Sequence, residues 1–390
     1  MSDAPQKAPL SATNTKPPTK AKPTSQHSAT LPIEPANQLA SKIKQLGQRL
    51  GFSDIRITLP DNARAATLFA RWQALHNAGE MHYLVRHGQK RCHVKQLQPS
   101  ALRVICVRLD YLSEPIAKTI TQLDNDRPFV SLYAKNKDYH KLMRKRLVQF
   151  AKQIETIANQ SINYRVFVDS APVLEKPLAE QAGIGWMGKH TNLLHHQHGS
   201  FFFLGEIAIN LPLPIDHAIK PRCGSCRACI DVCPTKAITA PYQLDAEKCI
   251  SYLTIEHAGI IPDTLKAQIG NRIYGCDDCQ LFCPWNRYAK QTEINGFADN
   301  NKRWQTDYLT LFGWDETTFL TTLQGSPIRR IGFDRWQRNL AIGMGNALRQ
   351  HPDHPQKSAW VSALKNNTNP HPAVIDAIFW ALTQKNEGHD

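Results

Sequence analysis

Residues 223–234 read Cys-Gly-Ser-Cys-Arg-Ala-Cys-Ile-Asp-Val-Cys-Pro, and the spacing of their four cysteines decides how the whole chain is interpreted. A C-x2-C-x2-C-x3-C-P run of this kind holds 4Fe–4S clusters in bacterial ferredoxins. The first three thiolates can reach three irons of one cluster, whereas the fourth cysteine, which precedes a proline, ligates a second cluster. The run therefore requires a second set of cysteines elsewhere in the chain.

Residues 276–284 supply most of that second set. They read Cys-Asp-Asp-Cys-Gln-Leu-Phe-Cys-Pro, which repeats the Cys-Pro ending, and Cys249 supplies the remaining thiolate. We therefore predict two 4Fe–4S clusters with crossed ligation. The ligands of cluster one would be Cys223, Cys226, Cys229 and the remote Cys283. The ligands of cluster two would be Cys249, Cys276, Cys279 and the remote Cys233.

Structural zinc sites and a disulfide framework are the two alternative uses of these cysteines. Zinc knuckles also contain C-x2-C pairs, but they explain neither the third cysteine of the run nor the two Cys-Pro endings. Ten cysteines in 390 residues are too sparse for a disulfide scaffold, and no apolar segment near the start suggests export. We therefore favour clusters and expect a reducing, cytoplasmic environment.

The charge balance of the chain suggests a polyanionic partner. The chain has 47 Lys and Arg against 33 Asp and Glu, which gives a formal net charge of +14. Nucleic acid is the commonest partner of so basic a protein, although many basic proteins bind none. No apolar run approaches the length needed to span a membrane. We expect a nucleic-acid partner and no membrane.

Composition and periodicity divide the chain into four parts. Residues 1–35 contain seven prolines and no aromatic residue, which predicts a disordered tail. Residues 36–218 are predicted to form an α/β (α+β) domain, with a long helix over 139–158 and buried strands over 102–109 and 201–209. Residues 219–290 would form a ferredoxin-like domain with both clusters. Residues 291–390 show only helical patterns, at 315–323, 333–348, 356–366 and 372–384, which resemble HEAT repeats.

The stretch Gly183-Ile-Gly185-Trp186-Met-Gly188 matches the dinucleotide-binding pattern G-x-G-x-x-G, with Glu206 where a ribose-binding acid would lie. That pattern requires a strand before it and a helix after it. Here a helical pattern precedes it and a strand follows, so we reject a dinucleotide site. Gly183 instead fits the end of a helix. The remaining glycines would let the loop around Trp186 pack close to a flat cofactor.

Two further features are candidates for a site. Asp169 follows an alternating strand pattern, where folds of this class place ligands and chemistry, although a turn or cap aspartate is the alternative. The segment 135–146 is strongly basic and contains Tyr139, which suits single-stranded nucleic acid. Arginines also cluster at 329–338. An ordinary solvated face is the alternative for both basic segments.

Several long stretches resemble the epoxyqueuosine reductase family, which acts on tRNA with cobalamin. They are 133–140 (Tyr-Ala-Lys-Asn-Lys-Asp-Tyr-His), 168–175 (Val-Asp-Ser-Ala-Pro-Val-Leu-Glu), 183–193, 223–286, 326–330 and 338–341. The resemblance covers about residues 36–390. It implies reduction of epoxyqueuosine to queuosine at the tRNA wobble position, with electrons passing through both clusters to a base-off cobalamin. It also implies a low-potential electron donor, and we expect a monomer.

The resemblance also implies roles for individual residues. Asp169 would protonate the epoxide oxygen, for which burial beside the cobalamin should raise its pKa. Cobalamin contacts would fall on Arg91, Asp169, Ser251, Gly275, Cys276 and Asp277. The basic and aromatic segments predict tRNA contacts at Lys135, Lys137, Tyr139, Lys141, Arg329, Arg330 and Arg338. A corrinoid-dependent dehalogenase and a plain electron carrier are the rival functions.

Overall fold

The computed structural model describes residues 33–123, 126–297, 304 and 306–384. The tail predicted over residues 1–35 lies outside the described residues, except that residues 33–35 begin the first helix. Across the ranges just given, none of the helices combines the length and the apolar character needed to cross a membrane.

The described residues form sixteen α-helices and eight strands. The first eight helices are α1 (Ile33–Arg49), α2 (Ala63–Ala74), α3 (His82–Arg86), α4 (Gly88–Cys92), α5 (Ile116–Ile120), α6 (Tyr139–Ala158), α7 (Glu175–Ala182) and α8 (Ala228–Val232). The others are α9 (Ile250–Ile255), α10 (Asp263–Ile269), α11 (Asp278–Leu281), α12 (Tyr308–Phe312), α13 (Glu316–Thr322), α14 (Gly332–Gln350), α15 (Lys357–Lys365) and α16 (Pro372–Thr383). The strands are β1 (Asp54–Thr58), β2 (Arg103–Asp110), β3 (Phe129–Val130), β4 (Tyr164–Phe167), β5 (Trp186–Met187), β6 (Leu193–Leu194), β7 (Phe202–Ile209) and β8 (Arg272–Tyr274).

An antiparallel sheet in the order β1-β2-β7-β4 forms the centre of the N-terminal part. Alternate residues of β2 point to opposite faces. Ile105 and Val107 pack in a core with side chains of α1 and α6, whereas Val104 and Cys106 pack in a second core with side chains of α7. Helices therefore cover both faces, which explains why β2 is apolar along its length. The antiparallel order makes this part α+β and excludes a doubly wound parallel sheet.

Most of the elements predicted from the sequence are confirmed. The helix predicted over 139–158 is α6, and β2 and β7 lie within one residue of their predicted bounds. Gly183 follows the last residue of α7 with a left-handed φ of 88°, as a glycine at a helix end allows. The side chain of Asn62 caps α2 by accepting the N–H of Ala65.

The described residues of the C-terminal part form helices and no strand, in agreement with their periodicity. Its core centres on α14, and Trp336 and Leu340 of that helix share one apolar core with Tyr252 and Ile273. This core therefore runs across residue 291, where the helical region was predicted to begin. The HEAT-like arrangement and the domain bounds stay predictions.

Candidate active site

The eight cysteines of the two motifs separate into two groups of four. Cys223, Cys226, Cys229 and Cys283 line one small cavity together. Burial raises the pKa of Cys283 to about 11, and the charges of the other three thiols of this group contribute to the rise. The remote Cys283 thus lies with the first three cysteines of the run, as crossed ligation requires.

Cys233, Cys249, Cys276 and Cys279 form the second group. Burial raises the pKa of Cys279 well above its usual value, with further contributions from Cys249 and Cys233. The pKa of Cys276 is raised in the same way, by burial first and then by Asp278, with Cys279 and Cys249 contributing. Among the described residues, no three His, Cys, Asp or Glu side chains are grouped as ligands of a single metal ion. Each group instead offers four soft thiolate ligands, the donor set of a 4Fe–4S cluster.

The glycine-rich loop at 183–188 packs against the first cysteine group. The Trp186 indole N–H donates to Cys223 Sγ at 3.5 Å, and the Trp186 ring lies 5.3 Å from that of Trp285. A Cβ atom at Gly185 would lie 2.4 Å from the carbonyl oxygen of Leu194, so only glycine allows this close approach. Trp186 is fully buried beside the cysteines, and the packing of this loop close to a flat cofactor stays a prediction.

A cavity of about 930 Å³ lies between the sheet, α9 with the adjoining Cys249, and the turn at 327–330 that precedes α14. Its wall includes Phe202 and Phe203 of β7, Cys249, Tyr252 of α9, and Arg330. Ligand pockets usually measure roughly 300–1,000 Å³, so this cavity is suited to a large ligand. Because Cys249 forms part of the wall, a cluster held by the second group would adjoin the space.

Three of the six residues predicted to contact cobalamin line this cavity, namely Arg91, Asp169 and Ser251. Gly275, Cys276 and Asp277 are not part of its wall, although the preceding Tyr274 is. Asp277 is buried, and its carboxylate accepts the Ser131 hydroxyl and the Leu132 N–H, each at 2.7 Å. This carboxylate therefore holds the segment in place and does not face the cavity.

Asp169 projects into the cavity from the loop after β4. Its Oδ2 accepts the Tyr139 hydroxyl at 2.7 Å and lies 2.9 Å from His140 Nε2. The opposite nitrogen of that ring, Nδ1, lies 2.7 Å from Asp138 Oδ1. The Asp169 backbone has a left-handed φ of 38°, a conformation that aspartate tolerates better than most residues. Just over half of the carboxylate side chain, 56%, is open, and this surface faces the cavity.

The electrostatics of Asp169 differ from our expectation. Burial would raise the pKa of Asp169, but hydrogen bonds from His140 and Tyr139, together with the charges of His140 and Arg330, outweigh it and lower the pKa. Burial would lower the pKa of His140, but its bonds to Asp169 and Asp138 raise it. In the free protein the pKa of Asp169 is thus lowered, and the rise expected beside a bound cobalamin stays a prediction. The mobile proton is shared by the Asp169–His140 pair and favours the histidine.

Sequence reasoning missed several residues of the wall. Tyr83, Tyr133, His140, Tyr252 and Tyr274 all line the cavity; Tyr133 was expected only to offer a stacking surface to nucleic acid, and the other four were assigned no role. Tyr133 and His140 lie in the stretch 133–140 on which the family resemblance rests, so a residue-by-residue comparison there could have found them. No local pattern distinguishes Tyr83 or Tyr252 from ordinary core tyrosines.

The predicted nucleic-acid contacts divide into exposed and buried residues. Lys137, Lys141, Arg329 and Arg330 are exposed. The basic segment 135–146 contacts the turn that precedes the arginine cluster, because the Asp138 N–H donates to the Gly325 carbonyl at 2.8 Å. Arg330 pairs with Glu256 and lines the cavity.

Three residues do not fit an exposed interface. Lys135 is buried, with its ammonium 2.8 Å from Glu114 and 3.1 Å from Gln122. Arg338 is buried and donates to the carbonyls of Leu253, His257 and Gly259. Tyr139 is largely buried, and its hydroxyl donates a hydrogen bond to the Asp169 carboxylate. The expectation that these side chains face tRNA is wrong for the free protein, because each already has its partners inside the fold.

Two groups of four cysteines, the second of which adjoins a large cavity through Cys249, and a carboxylate–histidine–tyrosine constellation in that cavity are the features of an iron–sulfur redox enzyme. A family model for a 4Fe-4S double cluster binding domain matches residues 222–286, and a model for epoxyqueuosine reductase QueG (DUF1730) matches residues 91–170. The chain is 47% identical to an epoxyqueuosine reductase of Salmonella typhimurium over 90% of this chain and 89% of the relative. It is 44% identical to an epoxyqueuosine reductase of Pseudomonas aeruginosa over 91% of this chain and 97% of that relative. The chain belongs to the epoxyqueuosine reductase family and is an oxidoreductase.

Solved structures agree with this assignment. A crystal structure of epoxyqueuosine reductase with an epoxyqueuosine-modified tRNA-Tyr stem loop is similar with a TM-score of 0.76 and 25% identity, over 90% of this chain and 91% of that chain. A structure of the Bacillus subtilis enzyme, with its catalytic loop swung out of the active site, has a TM-score of 0.77 at 24% identity, over 89% and 90%. The second comparison concerns the fold alone.

Proposed function

We propose that this protein reduces epoxyqueuosine to queuosine in the anticodon of tRNA. The observation that carries the proposal is the position of Asp169 in a large cavity bordered by Cys249, in a chain 47% identical to an epoxyqueuosine reductase. The reaction takes up two electrons and two protons. Both epoxide C–O bonds break, a carbon–carbon double bond forms, and the oxygen leaves as water.

The volume of the cavity and its lining support a cobalamin as its ligand. Arg91 and Ser251 would contact it, and the aromatic side chains of Tyr83 and Tyr252 would cover its apolar surface. Bound in the base-off state, cobalamin would supply a strongly reducing metal centre that no side chain can replace. The chain contributes the enclosed space, the orientation of the cofactor and the adjacent proton donors.

The cysteine groups support a route for electrons from the surface to this cavity. Cys226 of the first group is exposed, so a cluster there could accept electrons from a separate low-potential donor. Cys249 of the second group forms part of the cavity wall. We therefore infer that electrons enter through cluster one, pass to cluster two and reach the cofactor from there.

The proton for the epoxide oxygen would come from Asp169. Because His140 holds the shared proton in the resting site, the route runs from His140 Nε2 through Asp169 Oδ2, which are 2.9 Å apart, to the substrate. Asp138 fixes the orientation of the imidazole through Nδ1. Tyr139 holds Oδ2 in place from another side, so the carboxylate keeps its direction as the proton moves.

The exposed cations beside the cavity would bind the tRNA backbone. Changing Lys137, Lys141 and Arg329 together to alanine should weaken the binding of all tRNAs. The plot of log K against log salt should also become less steep by about two, because each phosphate contact to a single strand contributes about 0.7 to its slope. Binding isotherms at several salt concentrations measure this.

The matched control replaces Lys42, Lys95 and Lys152, which are exposed and, unlike the three tested cations, do not lie within two residues of any residue of the cavity wall. It removes the same net charge, so tRNA binding should stay near that of the original protein. Equal weakening by both triple variants would mean that binding follows net charge and would remove this surface from the proposal.

Anaerobic reconstitution tests the function directly. We expect about eight irons per chain, a base-off corrinoid spectrum after cobalamin is added, and conversion of epoxyqueuosine-containing tRNA when a reductant is present. A protein that binds clusters and corrinoid but does not convert this tRNA would disprove epoxyqueuosine-containing tRNA as the substrate. A protein that binds clusters but no corrinoid would favour the rival function, a plain electron carrier.

A further inference from the structure

A second carboxyl group lies in the protein interior behind Asp169. Glu206 is in the middle of β7, between Cys106 of β2 and Phe167 of β4, and its relative exposure is 0%. Neither of its oxygens accepts an N–H or O–H from another described residue. A buried carboxylate without such donors is costly, so Glu206 requires a different partner.

That partner is Glu175, the first residue of α7. The two carboxyl groups are within hydrogen-bond distance of each other, and Glu175 Oε1 also accepts the backbone N–H of Asp169 at 2.6 Å. Two carboxylates at such a distance cannot both be ionised in a buried site, so they share a proton. Burial, followed by the charge of Asp169, raises the pKa of Glu175 to about 7. Burial and Glu175 raise the pKa of Glu206 well above its usual value.

We propose that Glu175 and Glu206 share one proton and that this pair positions Asp169 in the cavity. With the proton on the Glu206 side, Glu175 Oε1 is free to accept the Asp169 N–H, and this bond holds the left-handed backbone that aims the carboxylate at the substrate. The pair is a positioning element, not a catalytic one. The inference rests on the proposed function only in taking Asp169 as the proton donor.

Loss of the shared proton should disturb this arrangement. At high pH two carboxylates would face each other, with Asp169 as a third negative charge nearby, and their repulsion would displace the loop. The titratable and charged groups around the pair are Cys106, Arg91, Lys176, Tyr139, His140 and Asp169. Turnover should therefore fall on the alkaline side as the pair ionises.

Glu206→Gln tests the shared proton. The amide donates permanently to an ionised Glu175, which still accepts the Asp169 N–H. We expect the infrared band of a neutral carboxyl group, present in the original protein at pH 7, to be missing from the variant. We also expect turnover at pH 7 to change less than about threefold and the alkaline fall in turnover to move to higher pH. An unchanged infrared band, or an unchanged pH profile, would overturn the proposal.

Glu175→Leu and Glu175→Gln test the positioning role. Leucine removes the acceptor of the Asp169 N–H, so turnover should fall at least about tenfold while tRNA binding stays. Glutamine keeps an acceptor oxygen and should restore most of the turnover. Equal turnover in both variants would contradict the role. If the leucine variant does not fold, the infrared and pH measurements on Glu206→Gln still decide the proposal.

These results separate the inference from the proposed function. The infrared band needs no substrate and reports only on the pair. A band that behaves as expected, in a protein that does not convert epoxyqueuosine-containing tRNA, would disprove the function and support the shared proton. Conversion of the tRNA by a protein that lacks the band would support the proposed function and disprove the shared proton.

Discussion

Asp169→Asn should lower the turnover of epoxyqueuosine-containing tRNA by about 10²–10⁴-fold, the range that a general acid contributes. The amide has nearly the same shape and can still accept the Tyr139 hydroxyl, but it cannot carry the proton from His140 to the epoxide oxygen. Cluster content and tRNA binding should be retained. Single-turnover kinetics with reduced protein measure the chemical step.

Asp353→Asn is the control for this variant. Asp353 is exposed in the turn between α14 and α15 and lies outside the cavity wall, so the same chemical change should leave turnover within about twofold. If Asp169→Asn retains both clusters, the corrinoid and full turnover, Asp169 is not the proton donor.

The pH dependence of the site follows from two opposite shifts. The pKa of Asp169 is lowered, so its stabilising contribution is present above its unfolded value and is lost as pH falls through the folded one. The pKa of His140 is raised, so its contribution is present below its unfolded value and is lost as pH rises through the folded one. The Asp169–His140 pair is therefore most stabilising between the unfolded-state pKa of the aspartate and that of the histidine, where the carboxylate is ionised and the imidazole is charged.

Serine substitutions should distinguish crossed from sequential ligation of the clusters. Crossed ligation assigns Cys283 to the same cluster as Cys226. The double variant Cys226→Ser/Cys283→Ser should therefore lose one cluster, and its iron content should fall from about eight to about four per chain. Cys276→Ser with Cys283→Ser should lose both clusters and leave almost no iron. Iron analysis and electron paramagnetic resonance of the reduced protein measure these contents.

Sequential ligation makes the opposite prediction, because Cys276 and Cys283 would then share a cluster and the second variant would keep about four irons. Cys92→Ser is the control. Cys92 belongs to neither group and donates to the Gly88 carbonyl, a bond that serine keeps. Its iron content should stay near eight.

The sequence predicted the two cysteine groups because ligand spacing is a local property. Three cysteines at x2 intervals can reach one cluster however the rest of the chain folds, and the Cys-Pro endings require an exchange of the fourth ligand. Periodicity predicted α6, β2 and β7 for a similar reason, since a side chain's face follows from its place in the repeat. The family resemblance implied a role for Asp169, because the residues around it form a recognisable local motif.

Tertiary structure alone decided which charges are exposed and which carboxyl group holds a proton. Lys135 and Lys137 are both cations of one basic segment, yet Lys135 pairs with buried Glu114 while Lys137 faces solvent. Asp169 and Glu206 are both carboxyl groups, but hydrogen bonds from His140 and Tyr139 lower the pKa of the first, and burial, followed by the charge of Glu175, raises the pKa of the second. Burial and hydrogen-bond partners come from residues distant in the chain, so no local spacing encodes them.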